Sequence, residues 1–440
     1  MSELKKKAHR ILGALVLGGT ADALGWRNES AQVDKHKAPI DRLQAWTKRV
    51  GRVGGYWDKI EPGEYSDDTQ LTLAVARCIS PEGDYDADRF TSIELPYWLS
   101  YERGGGRTIR AAARNVLQRR NVTWDTNVFD GYYESGANGA AMRVFPLSLI
   151  PDPEKMRIAV WKNAVSTHGH PRAILGALVM ATSLHRLLDR EAKDSGLNDF
   201  NLEVQRAIQD SHVPDEPRIS MWANRSGDKA FRTTFEKTRT EMKSLLQLAW
   251  DRRHDDAESV LRQMGCLDKS TKGSGTGCVA AAHYFFYKHE REPLRAVVEA
   301  ANAFGSDTDT IAKLVGDLFG CLYGRAAYEN GLTERLCNRF YLLTITRYLI
   351  GTEAPHWFDS SERNETDLTT VKEGDEYFSH VFGPGIVSAL RKPFSIRKGT
   401  AILHQAKVDF QCGIVCTFSH AMSVSPEQGR IAAHEDFWTA

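Results

Sequence analysis

The sequence predicts an all-α body over residues 1–350, a linker at 351–370 and a small β-rich segment at 371–440. Three observations predict this. Apolar residues recur at helical spacing through the first 350 positions, small residues crowd the same stripes, and beyond residue 372 the period falls towards two. The opening run MSELKKKAHRILGALVLGGTADALG starts basic and turns apolar, but Ile11–Leu17 is short, ends in glycines and is followed by Asp22. That suits a packed helix better than a cleaved leader or a membrane anchor. Next, Leu71, Val75, Cys78 and Ile79 follow an i, i+4, i+7, i+8 pattern; Ile174, Leu178, Ala181, Leu184 and Leu188 continue behind Pro171; Ile311, Leu314, Val315, Leu318, Phe319 and Leu322 form the cleanest stripe. Ala and Gly within GALVLGG, AILGALVMA and VAAAHYFF let helices approach closely. Residues 189–258 are charged and weakly periodic, which predicts surface helices and loops inserted between core helices.

Composition narrows the function classes. With 440 residues, 42% of them hydrophobic, the chain can bury a large core and is not intrinsically disordered. Lys+Arg and Asp+Glu both number 57, so no bulk charge advertises a nucleic-acid coat or an anionic membrane surface. No stretch approaches the roughly 20 apolar residues of a membrane span, and the seven cysteines include no CxxC pair. The expectation is a soluble cytoplasmic protein with reduced thiols and neither a disulfide framework nor a structural zinc.

The carboxylates carry the chemistry. Ser66-Asp67-Asp68-Thr69 and Ser306-Asp307-Thr308-Asp309-Thr310 each precede an apolar helix. Capping explains one oxygen at such a place, since Asp, Ser and Thr are preferred N-caps and negative charge suits the helix dipole. Each cluster offers three or four oxygens, and surplus hard oxygen donors suit a hard cation such as Mg²⁺. Glu29, beyond the Gly-marked end of the first helix, is placed on a loop that can reach over a site. Gly136-Ala137-Asn138-Gly139, leading to Met142 and Arg143, and Gly273-Ser274-Gly275-Thr276-Gly277 open small-residue helical segments whose backbone N–H groups suit phosphate oxygens. His168 and His170 precede a helix with Pro171 in its first turn; with no Cys or third His nearby to complete a zinc set, hydrogen bonding is the expected role.

Taken in order, ADALGWRNE (21–29), YSDDTQLTL (65–73), Trp98 with GGGRTIRAA (104–112), GANGAAMRVFPLSL (136–149), THGHPRA (167–173), GSGTGCVAAAHYFF (273–286) and AANAFGSDTDTIAKLVGDLFGCLYG (300–324) resemble the ADP-ribosylglycohydrolase family, the type that includes dinitrogenase-reductase-activating glycohydrolases and ADP-ribosylarginine hydrolases. The resemblance spans about residues 8–350. It implies a compact orthogonal helical fold holding two Mg²⁺ ions, with Mn²⁺ as a substitute. The implied metal ligands are Ser66, Asp67, Asp68, Asp307, Asp309 and Thr310, and the implied catalytic set is Asp67, Asp68 and Glu29. Gly136, Asn138, Gly139 and Met142 would hold the diphosphate and adenosine side, with His168, Gly275, Thr276 and Ser306 close to the nucleotide. Ser66 stands where many relatives have Thr, and Ser306 where Gly is frequent.

The implied activity is Mg²⁺-dependent removal of ADP-ribose from a modified acceptor, ADP-ribosylarginine on protein first, as a protective reversal of an ADP-ribosyltransferase. Serine, nucleic-acid and small-molecule linkages fit the same core, and an inactive ADP-ribose-binding protein is the alternative, against which all the ligand positions are filled. A dehalogenase-type phosphatase reading of Asp307-x-Asp309 requires a preceding apolar strand, whereas AVVEAANAFGS looks helical. At the C-terminus, Gly374-Asp375 to Val387 with its Gly383-Pro384-Gly385 turn resembles SH3-like or Tudor-like modules, which implies docking of a protein or nucleic acid; the alternative is a β-hairpin packed on the catalytic body.

Overall fold

The first helix, Glu3–Glu29, is buried at Ile11 and from Gly13 to Trp26 because its apolar face lies against the equally apolar helix Thr308–Tyr323. Glycine makes this crossing close: a methyl added at Gly320 would stand 2.3 Å from Ala14 N. The computed structural model describes residues 2–29, 39–51, 55–189, 196–225, 228–354, 364–396 and 400–424. Helix Gly275–His289 packs on Thr308–Tyr323 and on Pro171–Leu188, which brings the starts of all three near the end of the first helix and the start of Asp67–Ala76.

A hairpin within residues 1–350 corrects the all-α expectation for that body, whereas the C-terminal sheet stands where the β-rich segment is expected. Strands β1 (Trp46–Val50) and β2 (Tyr56–Ile60) form an antiparallel hairpin in which Trp46 faces Ile60 and Val50 faces Tyr56. Each is five residues long, too short for its period-two alternation to stand out among helical stripes. Strands β3 (Glu376–Ser379), β4 (Gly383–Ile396), β5 (Ala401–Phe410) and β6 (Val415–Ser423) form an antiparallel meander in the order β3-β4-β5-β6, with bulges in β4. This small sheet is what stands where the SH3-like or Tudor-like resemblance falls. Its Phe382 and Phe418 rings pack on Tyr97 and Tyr101 of the helical body, and Arg77, paired with Glu94 at 2.6 Å, lies 5.0 Å from the Phe382 ring centre. The sheet therefore shares the main hydrophobic core.

The charged segment 189–258 also reaches that core. Helices Leu197–Gln209, Pro217–Arg225 and Asp228–Asp251 bury Phe200, Val204, Ile208, Trp222, Phe231, Phe235 and Met242. Much of the expected linker, residues 355–363, and the end of the C-terminal segment, 425–440, lie outside the described residues.

Candidate active site

At the first acidic box, capping is done by other groups. Ser66 Oγ accepts from Asp68 N at 3.2 Å, and the fully buried Asp22 accepts from Ser66 N at 3.1 Å, Thr69 N at 3.0 Å and Thr69 Oγ1 at 2.6 Å. Asp67 and Asp68 are thereby spared, and Asp68 Oδ2 is buried with no hydrogen-bond partner. Asp22 was not singled out from the sequence; the signal is a carboxylate in the middle of an otherwise apolar buried helix.

At the second box, Asp307 occupies the cap position of Thr308–Tyr323 yet makes no capping bond. Its Oδ2 accepts from Asn138 Nδ2 at 3.2 Å, while Asp309 Oδ1 accepts from Thr310 N at 2.9 Å. Thr310 is buried, and Ser306 turns its hydroxyl to Ala303 O at 2.7 Å. Glu29 is the final residue of the first helix, not part of a loop: the helix runs through Gly25 because a side chain there would meet Thr308 O at 2.3 Å, so this glycine serves contact and does not end the helix. The carboxylate oxygens of Glu29, Asp307 and Asp309 lie within 4.8 Å of one another. Asp67 and Asp68 stand outside that triad.

Burial pushes the carboxyls of Asp67, Asp68 and Asp309 well above the usual range; Glu102 and Asp22 add to this at Asp67, Asp22 and Asp67 at Asp68, and Glu29 and Asp307 at Asp309. Glu29 is raised by burial and then by Asp307. Buried carboxylates that repel one another, with one oxygen lacking any partner, form a donor set that fits a hard divalent cation.

The two glycine loops are joined. Asn138 N donates to Gly273 O and Gly275 N to Gly136 O, both at 2.9 Å. A methyl on Gly273 would lie 2.9 Å from Asp307 Oδ2, so the joined loops sit directly on the acidic triad. His168, buried beneath Gly139, has its pKa lowered to about 3 by burial and then by Arg143, and is neutral at working pH. Its Nδ1 lies 2.8 Å from Thr167 Oγ1, and Nε2 has no partner. Arg143 donates to Gly139 O at 2.8 Å, holding the loop from below. His170 Nδ1 accepts from Arg172 N at 3.1 Å as a helix cap. Met142 is buried in the core, and Thr276 donates its hydroxyl to Glu241 Oε1 at 2.8 Å. Lining a cavity of about 580 Å³ are Glu29, Trp26, Trp46, Lys48, Glu102 and Gly104; Trp26 Nε1 is buried without a partner.

The segment before Asp307 is the helix Pro293–Ala301, which removes the strand a dehalogenase-type motif needs. A helical body that gathers carboxylates at helix ends, beside two joined glycine loops, presents a candidate hydrolase site. The comparisons agree: residues 3–356 match the ADP-ribosylglycohydrolase family, and the chain belongs to it. It is thus a hydrolase of ADP-ribose glycosidic bonds. Among its relatives, the uncharacterized protein YegU of Escherichia coli (strain K12) is 27% identical over 343 residues, covering 75% of this chain and 92% of that protein. The ADP-ribosyl-[dinitrogen reductase] glycohydrolase of Rhodospirillum rubrum is 30% identical over 183 residues, covering 41% of this chain and 58% of that protein. A solved chain of an ADP-ribosylglycohydrolase-related protein complex shares the fold with a TM-score of 0.53 at 19% identity, covering 79% of this chain and 99% of that one. The family match ends before the C-terminal sheet. Among the described residues no helix is long and apolar enough to cross a membrane.

Proposed function

We propose that this chain removes ADP-ribose from ADP-ribosylated arginine on protein in a reaction that needs two Mg²⁺ ions, with Mn²⁺ as a substitute. Glu29, Asp307, Asp309 and Thr310 would hold one ion, and Ser66, Asp67 and Asp68 the other. When bound, the ions supply Lewis acidity and orient the hydroxyls of the distal ribose and a water. Asn138 and the joined glycine loops hold the diphosphate, with neutral His168 below them. Asp67 or Asp68 assists proton transfer between the attacking water and the leaving acceptor atom. The remaining carboxylates stabilise the oxocarbenium-like charge that grows as the glycosidic bond loosens.

The observation that carries this reading is the Asn138–Asp307 contact, which joins a candidate phosphate-binding loop to the carboxylate triad. The Rhodospirillum relative's name gives that protein an ADP-ribosylated dinitrogen reductase, which favours a protein acceptor here; arginine is placed first as the acceptor most frequent within the family resemblance. A cytoplasmic role in undoing a transferase's modification follows from the same reading. Docking of a protein or nucleic acid by residues 371–440 belongs to it as well; the exposed Ile386 and Met422 offer apolar contacts there.

Purified protein is incubated with ADP-ribosylated arginine, serine and DNA, with Mg²⁺ or with EDTA. Free ADP-ribose released from the arginine substrate in Mg²⁺ alone supports the proposal. Retention of the nucleotide without turnover, or equal release in EDTA, contradicts it.

A further inference from the structure

One carboxylate outside the acidic clusters touches the framework of both glycine loops. Glu241, on helix Asp228–Asp251, accepts from Arg172 Nε at 3.0 Å on each oxygen, from Arg172 Nη2 at 2.9 Å and from Thr276 Oγ1 at 2.8 Å. Thr276 is fully buried in the first turn of Gly275–His289. Arg172 stands behind the glycines whose backbones join the loops. A methyl on Gly136 would lie 3.0 Å from Arg172 Cβ, and one on Gly275 would lie 2.6 Å from Arg172 O. From Gly136 and Gly275 the connection continues through Asn138 to Asp307.

The Arg172 and Glu241 side chains are 39% and 31% exposed, so their ion pair contributes little to folding, because solvent screens it. Its geometry is nevertheless specific, since a planar guanidinium bound by two N–H groups fixes orientation as well as distance. We propose that Glu241 is a positioning residue. It sets the two glycine loops in the register that receives the ADP-ribose diphosphate, and so ties the charged segment 189–258 to substrate binding. This rests on the proposed role of those loops.

The test uses the full chain carrying Glu241→Gln, which keeps the shape and removes the charge. Two readouts are taken. Amide hydrogen exchange at residues 136–139 and 273–277 needs no substrate, and it should speed up in the variant while the helix Glu3–Glu29 stays protected. KM for the ADP-ribosyl substrate and Kd for free ADP-ribose should rise about five- to tenfold, with kcat within about twofold and the Mg²⁺ requirement unchanged. Should Glu241→Gln fail to fold, Arg172→Lys, which keeps the charge and removes the planar two-donor contact to Glu241, carries the same two readouts. Unchanged loop exchange, or a loss confined to kcat, overturns the proposal. If the wild-type chain binds no ADP-ribose, the role of the loops fails on its own account, and the exchange result still decides whether Glu241 sets their register.

Discussion

The two acidic helix starts look alike in sequence and differ in what holds them. At Asp67–Ala76, Ser66 and the distant Asp22 satisfy the backbone donors, so both aspartates of the box are surplus to capping. At Thr308–Tyr323, Asp307 caps nothing and faces Asn138 and Glu29 instead. Helix stability thus accounts for Ser66 and Asp22 but leaves Asp67, Asp68 and Asp307 without a structural task. Asp67 and Asp68 are buried and Asp307 is partly so, and carboxylates placed this way with no structural task suit a ligand of opposite sign.

The largest effects that could break this comparison fall on activity. Asp67→Ala and Asp309→Ala should each lower kcat by at least about 10³-fold with the helical circular dichroism intact. Normal turnover by either variant in EDTA would remove the cation from the account. Next comes Asp22→Ala, which strands three donors at the first box and should cost about 3 kcal/mol in urea unfolding. A loss under about 1 kcal/mol would show that the box is held elsewhere.

Lys313 sits beneath both starts, paired with Asp317 at 2.7 Å, and it eases the charge on Asp22 and Asp68. Burial pushes the Asp317 carboxyl up to about 6 from an ordinary 3.8 despite that pair. The folded chain therefore keeps a proton that the unfolded chain sheds, so the contribution is present below about pH 4 and lost as pH rises through about 6. The stability advantage of wild type over Asp317→Asn should shrink by roughly 2 kcal/mol between those limits. A pH-independent difference would deny the shift. The smallest effect separates the two boxes themselves: without added metal, Ser66→Ala should lose about 1 kcal/mol as a broken cap, whereas Asp307→Ala should lose almost none. Equal losses would make Asp307 an ordinary cap.

Much of the candidate site was legible because its parts are local. Acidic runs before apolar helices and glycines before small-residue helices announce themselves within a few positions. What stayed hidden depends on distant contacts. Gly25 looks like a helix end, but Thr308 presses on it from the far end of the chain, and that contact carries Glu29 into the triad. Asp22 gains its meaning from Ser66 and Thr69, which it meets only after folding. Glu241 lies in a segment whose charges read as solvated, and nothing nearby in sequence reveals Arg172 or Thr276. The β1–β2 hairpin was missed because two five-residue strands carry too little periodicity, and the C-terminal strands were legible as strands but not as the wall that meets Tyr97 and Tyr101.

The claim that matters most is that these carboxylates share a cation, and anomalous diffraction from crystals of the full chain grown with Mn²⁺ tests it most directly. The account predicts metal density between Glu29, Asp307 and Asp309, with a second peak beside Asp67 and Asp68. Crystals saturated with Mn²⁺ that show no density at either place would contradict it.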